Sequence, residues 1–491
     1  MKYIIIILKT LFLLAIFQNL QAQDTFLHIF PHSEDISVYA TIETNDHQLI
    51  LCGDLSSSAT PLDYEGMLLK INYNGELVHT IQTVTVDHYT NIKLSPNEEG
   101  VAYIVGYKDS AATNGIYNSI VLQKIDNNLE ILYSWYIGLS NIGKSYPHDF
   151  VIVNDSLVFI SSNYSLNSNP LLNSPSIYKL NLNTSQISNF EFPVNFIRFT
   201  SNIIDIEHLN QLKLSYFLFS SAPTSIATFD YNLNCLSDNP IESIYNSYNR
   251  IASFNDSSLL FSASSYTDDK RELGIANFNL NDSLIGQTIF PGNADSMTYP
   301  AVTKNILVTS DYIWVVGWYN VIPFSVPCFP ESTWVVLNKL NHNLELQEQL
   351  FYGGDAVYNP YDVIETSDHH IVVTGNYYNP YLIPYECKFD PFVLKVNSEG
   401  LIVNTQNNEL PLAQEAIVFP NPGSDYLQIK LAVQHKTATL QLFDLNGRLI
   451  HTEEITADMQ RVNTTTLPAG IYPYRISANN RVIGSGKWVK E

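Results

Sequence analysis

The sequence predicts an all-β chain in which a seven-bladed β-propeller (residues 24–406) precedes a small C-terminal β-sandwich (416–491). Three observations carry that expectation. A short phrase recurs seven times at the interval of a four-stranded blade, an apolar strand stands ahead of most copies, and short strands with turn signals take over near the C-terminus.

The phrase alternates apolar and polar residues and ends in a Lys, Asn or Asp turn. It is clearest at Leu69-Lys70-Ile71-Asn72, Gln123-Lys124-Ile125-Asp126, Tyr178-Lys179-Leu180-Asn181 and Leu394-Lys395-Val396-Asn397. Weaker copies centre on Thr228, Asn277 and Lys339, so successive spacings are 54, 55, 49, 49, 62 and 56 residues. Each length accommodates four strands and their loops.

Upstream lie apolar runs such as Leu49-Ile50-Leu51-Cys52-Gly53, Ala102-Tyr103-Ile104-Val105-Gly106 and Ile371-Val372-Val373-Thr374-Gly375. Continuous apolar runs suit strands covered on both faces, and the small residue at the end is expected to let backbones approach near a narrow axis. Asn74-Gly75 signals a hairpin between the third and fourth strands of the first unit. The phrasing resembles uncharacterised secreted repeat propellers with a Gly-Gly doublet, here Gly353-Gly354. That resemblance implies architecture rather than activity. A ring needs its two ends joined. Both Phe26–Phe30 and Leu401–Asn404 are candidates for the closing strand.

Lys and Arg number 25 against 48 Asp and Glu, a formal charge of −23. Such a surface repels phosphate backbones, which argues against a nucleic-acid partner. Met1–Ala22 reads as a signal peptide with a basic start, an apolar stretch and cleavage after Ala22. Its removal takes Lys2 and Lys9 and brings the formal charge to −25. No segment of the mature chain approaches the roughly 20 continuous apolar residues of a membrane span.

A polar stretch with Pro411 makes residues 407–415 the expected linker. Beyond it stand Phe419-Pro420-Asn421-Pro422-Gly423, Phe443-Asp444-Leu445-Asn446-Gly447-Arg448, Leu467-Pro468-Ala469-Gly470-Ile471-Tyr472 and, near the end, Lys490. These phrases, in this order, resemble the type A sorting domain of type IX secretion cargo. The resemblance implies handling by the outer-membrane type IX machinery, delivery to the cell surface or medium, and removal of the domain afterwards. The residues supply their own physical reading: paired prolines stiffen the first strand, Asn446-Gly447 makes a tight turn, and Gly470 is expected to take an unusual dihedral. Pro473 lacks a backbone donor and marks a local strand edge.

Chemistry is sparse. No zinc helix, nucleophile elbow or calcium loop is present, and no cofactor, metal or catalytic residue is assigned. Gly484-Ser485-Gly486-Lys487 lacks phosphate-loop spacing and reads as a turn, while His369 and His370 are expected to point to opposite faces of a strand. Insertions after two Gly strands carry Trp318, Tyr319 and Phe324, and Tyr377, Tyr378 and Tyr381, a candidate surface for glycan or a surface protein. Cys328 and Cys387 occupy equivalent places in the two insertions and are the expected disulfide, leaving Cys52 and Cys235 free. Asp-Ser pairs such as Asp282-Ser283 resemble short O-glycosylation triplets, and the reading preferred for them is turn-favouring pairs. The sequence thus favours a non-catalytic binding module, with an extracellular polysaccharide hydrolase or lyase acting at the propeller mouth as the alternative.

Overall fold

The computed structural model describes residues 25–56, 64–112, 115–138, 143–166, 169–192, 198–218, 224–241, 245–267, 270–292, 297–321, 332–380, 388–402, 416–431, 438–444, 448–478 and 481–490. Cleavage at Ala22, the linker, Phe324, Cys328, Tyr381, Cys387, Asn446 and Gly447 lie outside them. Apart from one helical turn, Glu207–Leu209, the elements described are β-strands.

Between Phe26 and Val396 the described strands form seven antiparallel sheets. Sheet 1 spans 35–83, sheet 2 88–138, sheet 3 143–191, sheet 4 198–240, sheet 5 245–289, sheet 6 297–353 and sheet 7 357–396. Strands follow chain order within each sheet. In sheet 6 the first strand is split into Met297–Pro300 and Ile306–Val308, both paired with Ile313–Val321. Sheet 7 takes its fourth strand from the N-terminus: Phe26–Ile29 pairs with Asp390–Val396, from Phe26 opposite Lys395 to Ile29 opposite Phe392. The closing strand is therefore Phe26–Ile29, and Leu401 and Ile402 are not in a strand.

Apolar clusters bind each sheet to the next. Cys52 and Leu68 of sheet 1 pack with Tyr89 and Ile104 of sheet 2, and Trp314 and Leu337 of sheet 6 with Val363 and Val373 of sheet 7. Phe26, Val372 and Val393 of sheet 7 pack on Ile36, Leu49 and Leu69 of sheet 1, so the succession returns to its start. This explains the unbroken apolar runs: Leu49–Ser56 is buried along its whole length because sheets cover both of its faces.

The repeated Asn or Asp is a turn device. Asn72 Oδ1 accepts the backbone N–H groups of Asn74 and Glu76 at 3.0 and 2.9 Å. Asp126, Asn181, Asp230, Asn279, Asn341 and Asn397 each accept two N–H groups in the same way. A left-handed residue follows in every copy, at Gly75, Leu129, Ser185, Leu233, Asp282, Leu344 and Gly400. The carboxylate or amide offsets the cost of that conformation where the residue is not glycine.

The repeated Lys ties sheets together. Lys70 donates to the Asn127 carbonyl in the turn of sheet 2 at 2.6 Å, and Lys179 to the Tyr231 carbonyl in the turn of sheet 4 at 2.7 Å. Lys339 pairs with Glu399, and Lys395 lies 3.7 Å from the centre of the Tyr73 ring in sheet 1. Sheet 4 has Thr228 at the Lys position. Lys213, directly opposite on the neighbouring strand, takes over: fully buried, it reaches Asp282 in the turn of sheet 5 at 2.6 Å and Thr228 Oγ1 at 3.0 Å.

The glycine at the end of the second strand in sheets 1, 2 and 7 answers a feature of the first strand, whereas Gly317 in sheet 6 lies against Leu273 of sheet 5, where a Cβ would come within 2.7 Å. The inner strands of sheets 1, 2, 3 and 7 bulge between Val38 and Ala40, Tyr89 and Asn91, Pro147 and Asp149, and Pro360 and Asp362. A bulge thrusts a carbonyl toward the second strand. A Cβ at Gly53, Gly106 or Gly375 would stand 1.8, 2.2 or 2.1 Å from the carbonyl oxygen of Ser37, His88 or Asn359.

After residue 415 two further sheets share one core. Ala416–Phe419, Tyr426–Leu431 and Met459–Asn463 form the first; Leu449–Ile455, Ala438–Phe443, Gly470–Ala478 and Arg481–Lys490 form the second. Leu427, Ile429 and Val462 meet Leu440, Ile476 and Trp488 between them. Pairing of the third strand with Ala438–Phe443 ends at Leu442 opposite Tyr474, so Pro473 stands where only one neighbour remains. Gly484 to Lys487 belongs to the last strand rather than to a turn.

These constraints predict the effect of substitution. Gly375→Val places a side chain against a backbone carbonyl and lowers unfolding free energy by about 2 kcal/mol or more, whereas Gly286→Ala, with open space around it, changes stability by less than about 0.5 kcal/mol. Denaturant midpoints compare the two.

Candidate functional site

The first strands of the seven sheets, with the segment between the two halves of the split strand in sheet 6, converge on an open channel of about 590 Å³. Their bulges rotate one polar residue per strand toward it, and several of these bind the next sheet. Asn91 donates to Asp149 at 3.0 Å. Asp149 accepts the N–H of Ile203 at 3.2 Å, and Asn202 that of Ile251 at 2.9 Å. Thr303 and Lys304 donate their N–H groups to the Tyr361 carbonyl, and Asp362 accepts the N–H of Thr41 at 2.7 Å. The last of these crosses from sheet 7 to sheet 1.

Seven charged side chains line this channel: Lys93, Asp149, Arg250, Lys304 and Asp362, together with Glu43 and Glu365. Lys93 and Asp149 form an ion pair at 2.7 Å. Burial raises the Asp362 carboxyl to about 6 against the opposing pull of Lys304 and two backbone donors. Burial lowers Arg250 to about 10, with Asp149 acting the other way, and lowers Lys304 as well. Lys304 is solvated within the channel yet surrounded by protein. Glu43 and Glu365 stand at one end.

A second chamber of about 450 Å³ adjoins the first and shares Arg250 and Thr303 with it. Tyr39, Tyr107, Tyr146 and Tyr361 line it, together with His88 and His148. His88 Nδ1 sits 2.7 Å from Asp54 Oδ2, and its ring stacks on Tyr107 at 4.7 Å between centroids. Tyr39 and Tyr361 lie 5.2 Å apart, and Tyr146 meets Tyr107 edge-on at 5.1 Å. Burial lifts the hydroxyls of Tyr39 and Tyr107 above the usual phenol range and brings Tyr361 to about 12, so all three are neutral donors at physiological pH. His148 is pushed down to about 4 by burial and by the charge of Arg250. Its Nε2 faces Asn163 Nδ2 at 2.7 Å. No group of three His, Cys, Asp or Glu converges in metal-binding fashion among the described residues.

These residues come from all seven sheets, and no local motif announces them. The aromatic residues that the sequence singles out are placed elsewhere. Trp318 donates to Thr333 Oγ1 at 2.8 Å, and Tyr377 meets Tyr358 edge-on at 5.2 Å. Tyr319 and Tyr378 are each 2% exposed. Tyr319 belongs to a cluster with Trp334, Phe351, Ile417 and Phe419, where the C-terminal segment covers sheet 6. Lys430 completes that contact through Ser332 and the Trp334 ring. Cys52 is buried and Cys235 exposed, and both are free thiols.

The C-terminal motif residues form one clasp. Trp488 Nε1 donates to the Pro420 carbonyl at 2.8 Å, and Asn421 takes the Val489 N–H at 2.8 Å while donating to the Lys487 carbonyl at 2.6 Å. Gly423 donates to the Val489 carbonyl, and a Cβ there would press on Pro420 and Trp488. Pro422 stands between them in the same turn. Leu467 donates to the Thr464 carbonyl, Lys490 Nζ reaches that same carbonyl, and Tyr472 donates its hydroxyl to the Pro468 carbonyl at 2.6 Å. Asp444 holds Arg448 through its backbone N–H and guanidinium. Gly470 does not take the left-handed dihedral expected of it, and a Cβ there would make only ordinary contacts.

An all-β exported chain with a C-terminal targeting segment is the class these features define. Residues 417–491 match the family of secretion system C-terminal sorting domains, and the chain is type IX secretion cargo bound for the cell surface or medium. No curated protein matches the chain. Solved structures with a similar fold include a prolyl endopeptidase (11% identity, TM-score 0.39, 71% of this chain), of which the chain spans about half, 48%. The polysaccharide lyase Uly1 aligns at 10% identity and TM-score 0.43, over 76% of this chain and 91% of its own. The β-propeller domain of the Trilobed protease from Pyrococcus furiosus aligns at 9% and 0.40, over 76% and 99%. No helix among the described residues is long and apolar enough to cross a membrane.

Stability should respond to the two buried titrating groups in opposite senses. His148 stays neutral in the folded chain to about pH 4, so its contribution is complete above the unfolded value near 6.5 and is lost as pH falls between them. Asp362 retains its proton to about pH 6, so its contribution is present at low pH and is lost as pH rises from the unfolded value near 3.9 through 6. His148→Phe is expected to remove the first slope and Asp362→Asn the second from the pH profile of unfolding free energy.

Proposed function

We propose that the chain is an exported seven-bladed β-propeller, residues 24–406, that binds a glycan or a surface protein through its axial channel. A signal peptide, 1–22, and a β-sandwich sorting domain, 416–491, joined by the linker 407–415, are its two removable addresses. The propeller reading is supported by seven chain-ordered sheets whose apolar clusters return from the last to the first. The binding reading rests on one observation: the channel gathers polar groups from all seven sheets and opens through tyrosines that combine flat contact area with hydroxyl donors. The insertion aromatics Trp318 and Tyr377 offer a second, outer contact surface.

A second reading, an extracellular polysaccharide hydrolase or lyase, draws on the His88–Asp54 pair beside Tyr107. That pairing orients an imidazole as a general base requires. A glycan array and a turnover assay on the same exported protein separate the two: retention of an oligosaccharide without cleavage is expected, and cleavage abolished by His88→Ala would instead establish the enzyme.

Delivery has its own test. A chain ending at residue 415 is expected to accumulate in the periplasm, and its normal appearance at the cell surface or in the medium would contradict the sorting role.

A further inference from the structure

Two cations in the channel make no direct ion pair among the described residues. The chain carries 48 acidic against 25 basic side chains, and several of its lysines have a carboxylate at hand. Lys70, Lys93, Lys108, Lys124, Lys213, Lys339 and Lys395 each have one within 4 Å. Arg250 and Lys304 form no ion pair among the described residues, although both line the channel with Asp149 and Asp362. Those carboxylates are otherwise engaged. Asp149 holds Lys93, Asn91 and two backbone N–H groups, and Asp362 holds the N–H groups of Thr41 and Val363.

The Arg250 guanidinium satisfies itself poorly. Nη1 donates to the carbonyl of its own neighbour Asn249 at 2.6 Å, and Nε is buried without a partner. A buried donor left unmade carries a penalty of about 1–3 kcal/mol. A guanidinium is suited to holding two oxygens at once.

We propose that Arg250 and Lys304 form an oxyanion subsite within the channel, where a carboxylate or sulfate group of a ligand is held. The inference rests on the channel being the ligand site. Access runs from the tyrosine-lined chamber, because Arg250 and Thr303 border both spaces, whereas Glu43 and Glu365 repel an anion at the other end. His148, beside Arg250, is neutral near pH 7 and adds no competing charge. Burial disfavours both cations, Asp149 offsets part of that cost at Arg250, Asp362 and Asp149 offset part of it at Lys304, and a bound anion would act in the same sense as those carboxylates. The subsite suits an acidic sugar, with a uronate carboxylate or sulfate ester on Arg250 and its ring against the tyrosines. A free inorganic anion would satisfy the same two cations.

Calorimetric titration of the full-length exported protein with sodium sulfate, sodium glucuronate and glucose tests the assignment. Sulfate and glucuronate are expected to bind, with glucose at least tenfold weaker. Lys304→Met and Arg250→Met should each weaken both anions at least tenfold, and Lys304→Arg should restore binding. Thermal melts verify folding, and Lys304→Met alone suffices if the Arg250 variant does not fold. Sulfate binding that depends on these residues, without glucuronate binding, would keep the subsite and remove the acidic-sugar ligand. Glucose and glucuronate binding equally, and unchanged in the variants, would overturn the subsite while leaving the channel as the ligand site. Failure of both anions to bind would overturn it outright.

Discussion

A backbone N–H pointing at a buried axis must find an acceptor, and in this chain the preceding sheet provides it. Asp149 serves Ile203, Asn202 serves Ile251, and Asp362 serves Thr41. The inner strands are narrow, bulged and crowded where they meet, and the bulge that turns each polar residue inward also thrusts a carbonyl toward the second strand. Glycine at 53, 106 and 375 follows from that geometry. The link from Asp362 to Thr41 and the pairing of Phe26–Ile29 with Asp390–Val396 join the ends of the chain at the same sheet. Closure is thus polar at the axis and strand-paired at the rim, with the apolar cluster of Phe26, Leu49 and Val393 between.

The repeat was legible because its cause is local. An Asn or Asp that caps its own turn leaves the same mark seven times, and the lysine before it reaches a neighbouring sheet at Lys70, Lys179, Lys339 and Lys395, while Lys124 pairs with Glu98 of its own sheet. Sheet 4 shows where such reading ends. Thr228 looks like a degraded copy, yet the cation has moved to Lys213, which lies 15 residues earlier and is opposite only once the strands pair. The channel was illegible for a related reason. Lys93, Arg250, Lys304 and Asp362 sit on four different sheets with no fixed spacing, and only the succession of sheets brings them together. The aromatic insertions drew attention because they are consecutive in sequence. In the structure Tyr319 and Tyr378 are covered, the first by Ile417 and Phe419 of the C-terminal segment.

The sorting segment was readable for the opposite reason: its motifs lie at the ends of short strands and meet in a single clasp around Trp488 and Lys490. Asn421, Gly423 and Tyr472 each make a contact that depends on residue type, while Pro420 supplies a backbone carbonyl. Gly470 does not, and its place in the motif has no steric reason in this structure. Export and the proposed ligand capture therefore rest on separate parts of the chain, which touch in the cluster of Tyr319 with Phe419.

The most direct test of the account is a crystal structure of the exported protein grown with a short uronate oligosaccharide. The account predicts a sugar in the tyrosine-lined chamber with its carboxylate on Arg250 and Lys304. A sugar seated only on the outer aromatic residues, with the channel closed to it, would contradict the account.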